Sequence, residues 1–206
     1  MKQHRQPLCE KEVKQAIFLD YEGNIDKPPT LLGWRVDGKT HAAIVEPAFS
    51  ACSNRYRAKN VTLVHHAVLA LRLIAQAEDE GRTIVSWSEH DLEVMSKVLD
   101  ESQQDRLRVV YRNAICTARP WYRRTTGRSI KDASLANFSE LLGFDVPARY
   151  GLGVVGQGLR LIRGQIREGR TYAELTPRAR ASWVAVVKHN RLDLEAMEHV
   201  LLSIST

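Results

Sequence analysis

Three β-patterned runs crowd into the first 45 residues, and most of the chain after residue 60 has helical spacing. That order constrains the fold more than any single residue does. Strands that succeed one another over short links pair as an antiparallel meander, and a later strand returning through a helix adds in parallel. The three runs are 16–21 (AIFLDY), Leu31–Val36 and Thr40–Val45, the last two joined by Asp37-Gly38, a tight-turn signal. Residues 47–60 are polar and irregular and read as a loop. Val61–Glu80 repeats apolar residues at helical spacing (Leu63, Val64, Ala67, Val68, Leu71, Ile74), with Gly81 as its stop.

A β-rich run, Thr83–Trp87, then leads into a helical stretch, Glu89–Leu99. Val109–Tyr111 reads as a short extra strand, and 119–128 as an arginine- and aromatic-rich loop. Ile130–Leu142 is predicted as a helix stopped by Gly143. The segment 147–158 holds four glycines and one proline and reads as a flexible connector. Leu159–Glu168 is helical, and Thr176-Pro177, an N-cap followed by proline at the first helical position, opens a last helix to about Leu202. The pattern predicts one α/β domain over residues 1–206, with a mixed sheet and a helical C-terminal part. Residues 1–14 are expected to be an extended or mobile segment.

At 206 residues, 44% hydrophobic and 26% charged, the composition is globular rather than disordered. No apolar run approaches the roughly 20 residues of a membrane span. The start, MKQHRQPLCEKEVKQ, lacks the apolar core of a signal peptide. Cys9, Cys52 and Cys116 are odd in number and far apart, without a CxxC pair, which argues against a disulfide framework or a structural zinc site. A cytoplasmic setting without membrane contact is expected.

The first run ends in an unusual way, on Asp20 with Glu22 two residues later. On a strand, residues i and i+2 point to the same face. Two ionised carboxylates side by side repel each other. A divalent cation removes that repulsion, and Mg²⁺ or Mn²⁺ prefers carboxylate oxygen. Two further segments carry candidate groups. Asp91 sits in the first turn of a predicted helix, directly after the 83–87 strand. His189 and Asp193, in WVAVVKHNRLDLEAM, lie one turn apart on one helix face. Glu195 points elsewhere on that helix. Each of these also has an ordinary reading: a solvated strand end, a helix-dipole acid and a surface pair.

Their order is what is specific. Asp-x-Glu ends the first strand, a meander and a helix come next, an Asp-bearing helix comes after the next strand, and a C-terminal helix carries His-x-x-x-Asp. In the stretches 17–36, 83–98, 129–144 and 189–197 (HNRLDLEAM), the sequence resembles the DEDD exonuclease superfamily on the ribonuclease-H-like fold. The likeness is greatest to the predicted exonuclease families whose third motif reads Tyr/His-Asn-x-x-Asp. It implies that Asp20, Glu22, Asp91 and Asp193 hold two divalent cations, Mg²⁺ or Mn²⁺, and that His189 takes part in catalysis. It also implies 3′–5′ hydrolysis of phosphodiester bonds at a single-stranded end of DNA or RNA. In the better-known histidine branch the histidine precedes the last aspartate by five positions. Here the gap is four, the spacing of the tyrosine branch. Four carboxylates balance the charge of two divalent cations, and an imidazole, with an unperturbed pKa near 6.5, suits proton transfer near neutral pH.

Charge is divided along the chain. From Arg106 to Arg180 there are 15 Lys/Arg against 5 Asp/Glu, whereas the rest holds 15 against 19. A polyanion partner fits that asymmetry. Arg160, Arg163, Arg167 and Arg170 form one helical stripe. Arg119, Trp121, Tyr122, Arg123, Arg124 and Arg128 interleave cations with rings, the combination that single-stranded nucleic acid uses. Gly23 and Asn24, next after the first carboxylate pair, join these candidate contacts. GLGVVGQG (151–158) lacks the GxxxxGK[ST] pattern and reads as a hinge. His65-His66, Trp34 and Trp87 read as structural. A structure-selective endonuclease, a non-catalytic nucleic-acid-binding module and a partner-dependent subunit whose arginine face docks an acidic protein or a second copy stay open as alternatives.

Overall fold

The computed structural model describes residues 6–24, 27–53, 61–151 and 153–205. Among these described residues, six strands form one mixed sheet: β1 (Ile17–Glu22), β2 (Leu31–Val36), β3 (Lys39–Ile44), β4 (Thr62–Leu63), β5 (Ile84–Ser86) and β6 (Tyr111–Asn113). Their spatial order is β4-β3-β2-β1-β5-β6. β1, β2 and β3 are the expected antiparallel meander, and β5 and β6 extend the sheet from β1 in parallel. β4 runs parallel to β3 at the edge. The β2–β3 turn has positive φ at both Asp37 and Gly38, the geometry the Asp-Gly pair favours.

The helices of the described residues flank the sheet: α1 (Glu10–Lys14), α2 (His66–Asp79), α3 (Glu89–Ser96), α4 (Glu101–Val110), α5 (Ile115–Thr126), α6 (Leu135–Leu141), α7 (Val154–Arg167) and α8 (Pro177–Ile204). Strand alternation sorts β1 between two cores. Ile17 and Leu19 join Leu69, Leu73, Ile74 and Leu107 on one face of the sheet. Phe18 faces the other way, with Leu194, Met197 and Val200 of α8. Further along α8, Trp183 and Val186 pack with Leu31, Ile44, Leu159 and Ile162. Each fully buried side chain of this size contributes roughly 1.5–3 kcal/mol. α8, about 42 Å long at 1.5 Å per residue, thereby lies against β1 and β2. Phe18, Asp20 and Glu22 are the residues of β1 that face it.

Several boundaries differ from expectation. The helix predicted from Val61 begins at His66, because Thr62–Leu63 pair with the open edge of β3. The loop expected at 119–128 is largely helix: α5 tolerates Pro120 inside it and buries Thr117 and Ala118. The connector expected at 147–158 is a 3₁₀ turn, Ala148–Tyr150, and then the start of α7. Gly158 sits inside α7, where an added Cβ would come 3.2 Å from the Ser182 side chain of α8, so it serves close helix packing. The strand expected at Val109–Tyr111 is shifted to 111–113, behind α4, whose Asp100/Gln103 capping box sets its start. The helix expected from Ile130 starts at Leu135, with Ser134 as its cap. The N-terminal segment is not all extended: α1 buries Val13 and rests on α8, and the Leu8 N–H donates to Thr117 Oγ1 at 2.7 Å. Part of the 47–60 loop is the 3₁₀ turn Pro47–Cys52, and 54–60 lies outside the described residues. Among the described residues, no helix is long and apolar enough to cross a membrane.

Candidate active site

Three separate elements deliver carboxylates to one place. β1 is flanked on both sides by paired strands, so its end is held by ladders with β2 and β5. It presents Asp20 and Glu22 to α8. α3 begins after a short link from β5, capped by Ser88, and carries Asp91 in its first turn. The Asp91 carboxylate accepts the Tyr21 backbone N–H at 3.3 Å, which ties α3 to β1. α8 brings His189 and Asp193, whose four-residue spacing puts them on one face: His189 Nε2 is 3.4 Å from Asp193 Oδ2 and 3.7 Å from Glu22 Oε1. Glu22, His189 and Asp193 each offer a ligand atom within 4.8 Å of the others, a group that can hold a metal ion. Asp20 and Asp91 stand outside this trio but within electrostatic reach of it.

The electrostatics of the site are those of crowded, buried acids. Burial, then the charges of Glu22, Asp193 and Asp91, hold the Asp20 carboxyl well above the usual carboxylate range. Glu22 is raised likewise by burial and then by Asp193. Burial pushes Asp91 up to about 6, against the pull of the Tyr21 N–H. Asp193 is raised by burial, with His189 opposing. Glu22 Oε1 is buried without a hydrogen-bond partner among the described residues. A buried carboxylate oxygen left unpaired costs free energy that a bound cation removes. Hard oxygen donors with one imidazole fit a divalent cation of the Mg²⁺ or Mn²⁺ type.

His189 is oriented by a contact outside its own helix. Its Nδ1 meets the Tyr150 carbonyl oxygen. A carbonyl only accepts, so the proton belongs on Nδ1, and Nε2 of the neutral ring offers its lone pair toward Glu22 and Asp193. Glu195, two residues past Asp193, is turned away and pairs with Arg191 at 2.6 Å.

Two supporting residues have no role assigned from the sequence. Asn190, 1% exposed, donates from Nδ2 to the Asp20 carboxylate at 2.7 Å and to the Asp20 carbonyl at 3.1 Å. Opposite Asp20 on β2 is Gly33, where an added Cβ would lie 1.8 Å from Asn190 Oδ1. The sequence contains a signal for the first of these, since Asn190 is the second residue of HNRLD.

The candidate nucleic-acid contacts fall into two places. Gly23, Asn24, Lys27, Arg160, Arg163 and Arg167 line one cleft of about 480 Å³, which continues from the end of β1. Arg163 is also bound within the protein, by Glu46 and over the Phe49 ring, and Arg170 pairs with Glu168 at 2.9 Å. Arg119, Arg123, Arg124 and Arg128 are exposed on or just after α5. The rings of Trp121 and Tyr122 pack instead against the apolar cluster beneath, Tyr122 edge-on to Phe138. His66 bonds to the Tyr21 hydroxyl at 2.7 Å, with burial and then His65 lowering its pKa to about 4. Trp87 donates to the Ala133 carbonyl, and Trp34 stacks on His41.

Comparison with protein-family models, with curated proteins and with solved structures gives no match.

Proposed function

We propose that this chain is a metal-dependent 3′–5′ exonuclease with a ribonuclease-H-like fold, hydrolysing phosphodiester bonds at a single-stranded DNA or RNA end. One observation carries the reading. Four carboxylates from β1, α3 and α8 converge, with an unpartnered Glu22 oxygen facing a histidine whose other nitrogen is already committed to a carbonyl. A purely structural arrangement gains nothing from raising four acids together. The sheet order, an antiparallel meander extended by parallel strands, supports the fold assignment. The 3′–5′ direction rests on the family resemblance of the motifs.

Two divalent cations held by Asp20, Glu22, Asp91 and Asp193 would neutralise charge on the attacking and leaving oxygens of an in-line displacement. The residues of the chain do the rest. Asp20 bears on the placement of the whole cluster, because Asn190 clamps its carboxylate and its carbonyl together. His189 Nε2 accepts the proton of the attacking water, and the Nδ1 bond to Tyr150 keeps the ring turned for it. The bond from phosphorus to the 3′ oxygen breaks, and that oxygen takes its proton from solvent. The low exposure of Glu22 and Asp91 limits competing water.

The test is a gel assay with end-labelled single- and double-stranded DNA and RNA, with Mg²⁺, Mn²⁺ or EDTA. Stepwise shortening from the 3′ end with metal, and none in EDTA, is the expected result. Internal cuts would instead identify an endonuclease, and intact but bound substrate a binding module.

A further inference from the structure

We infer that the cleft along α7 is the track for the sugar-phosphate backbone upstream of the scissile bond, with Arg160 and Arg167 as its free phosphate contacts. The inference rests on the nuclease reading and specifies where that substrate lies.

The arginines of this chain sort into two kinds. Many are neutralised within the fold, as Arg35 is by Glu198, Arg106 by Glu78 and Arg108 by Asp105. Arg163, in the middle of the α7 stripe, belongs with them through Glu46. Arg160 and Arg167 do not: both are exposed and have no ion pair or hydrogen bond among the described residues. They are seven positions apart, two helical turns, so they present two cations on one face about 10.5 Å apart along the axis. Between and beside them the helix carries glycine. At Gly164 an added Cβ would meet nothing within 4 Å. At Gly156 it would come 3.7 Å from both Arg160 Nη1 and Asn24 Oδ1, ordinary contact distances, so α7 and the segment after β1 approach each other here.

Asn24 supplies the link to the site. It lies two residues beyond Glu22, lines the cleft, and its Oδ1 is buried without a hydrogen-bond partner among the described residues. An unpaired acceptor beside free guanidinium groups suits a ligand that carries both anionic oxygens and hydrogen-bond donors. A nucleotide strand, with phosphates and base N–H or sugar hydroxyl groups, is such a ligand. Two neighbouring clefts include a site carboxylate in their own lining, Asp193 in one and Glu22 in the other, but neither offers the arginines of the α7 cleft. The one beside His189 and Asp193 is lined by Glu140 and Asp145 and by no Lys or Arg among the described residues. The one beside Tyr21 and Glu22 carries Lys27 and Lys97 with His66 and His90, but no arginine. Of these three clefts, the one along α7 is lined by arginines.

The experiment measures binding separately from hydrolysis. Labelled single-stranded oligonucleotides are titrated by fluorescence anisotropy with Asp193→Asn protein, between about 50 and 200 mM salt. Adding Arg160→Ala and Arg167→Ala should weaken binding at least about tenfold and flatten the log–log salt slope by about 1.4, or 0.7 per lost contact on a single strand. Arg106→Ala/Arg108→Ala removes the same formal charge elsewhere and should leave both quantities near those of the parent. Equal affinity and slope for the α7 double variant and the parent would overturn the track, as would equal losses in the two double variants. The nuclease reading fails differently. If the wild-type protein degrades nothing but the α7 variant still loses binding, catalysis is wrong and the track stands. If degradation occurs and the α7 variant binds like its parent, the track is wrong and catalysis stands.

Discussion

Asn190 Nδ2 bridges the carboxylate and the carbonyl of Asp20, at 2.7 and 3.1 Å, in a space that exists because the facing strand has Gly33. Glycine in a strand interior costs about 0.5–1 kcal/mol relative to alanine. Here it lets α8 press a side chain onto the strand that bears the first two acids. Gly33→Ala places a methyl where Asn190 Oδ1 now sits, so the asparagine or the helix must shift. We expect a loss of about 1–3 kcal/mol in stability, typical of overpacking, measured by urea unfolding. Hydrolysis should fall further than stability does. Asn190→Ala removes a hydrogen bond to a buried carboxyl and should lower divalent-cation affinity or activity about 10–100-fold, the size seen when outer-shell partners are lost.

The crowded acids set a pH dependence opposite to that of an ordinary salt-bridged carboxylate. Asp91 is ordinarily near 3.8 and sits at about 6 in the fold, and Asp20, Glu22 and Asp193 are raised with it. In the unfolded chain these groups ionise first. Without metal, the folded state therefore holds extra protons above about pH 4, and it loses stability as pH rises through about 6. His66, lowered to about 4, works the opposite way over the same range, so the carboxyl part is read against Asp91→Asn: in thermal unfolding in EDTA, the wild type should lose about 1.4 kcal/mol more than the variant between pH 5 and pH 8. Added Mn²⁺ should raise the midpoint more at pH 8 than at pH 5, because protons compete for the same oxygens. The same pH dependence in wild type and Asp91→Asn in EDTA would contradict the raised Asp91 carboxyl.

The acids were legible in the sequence because their geometry is local. Asp20 and Glu22 share a face through strand alternation, and His189 and Asp193 through one helical turn. Asp91 needed only a strand and a helix start. Asn190 and Gly33 were not legible as a pair, since their contact joins two elements far apart in sequence, and either residue alone has a common explanation. The same reason hid the helices. The loop expected at 119–128 and the connector expected at 147–158 rest on local composition, but α5 buries Ala118 against the core, and α7 uses Gly158 to approach α8. Tertiary packing overrode propensity at both places. β4 had no pattern of its own to read, because pairing with β3 makes it a strand.

His189 is testable through the space it fills. Its ring borders a cleft of about 550 Å³ with Asp193, and its Nδ1 is held by the Tyr150 carbonyl. As the proton acceptor, its removal should slow hydrolysis about 10²–10⁴-fold, with circular dichroism unchanged. His189→Ala leaves room for a free imidazole, so imidazole added to the buffer should restore part of the rate. It should do nothing for Asp20→Ala, which lacks a different function. Full hydrolysis rates in His189→Ala would remove the histidine from the mechanism.

Arg163 and its neighbours Arg160 and Arg167 should separate cleanly by stability. Arg163 and Glu46 are 11% and 8% exposed, the guanidinium donates to both carboxylate oxygens, and Thr30 Oγ1 donates to the same carboxylate at 2.7 Å. This ties α7 to the 3₁₀ turn Pro47–Cys52, whose Phe49 ring lies 4.9 Å under the guanidinium. Breaking a buried pair from one side strands the other charge. Arg163→Ala should therefore cost about 3–5 kcal/mol, and Arg163→Lys should recover only part of it, because one ammonium cannot reproduce the two-pronged contact. Combining Arg163→Met with Glu46→Gln should lose less than the sum of the single changes, since no buried charge is then left alone. Arg160→Ala and Arg167→Ala, on the exposed face of the same helix, should each change stability by less than about 0.5 kcal/mol. Urea unfolding of these variants decides it. A cheap Arg163→Ala would mean that Glu46 finds water or another cation in its place.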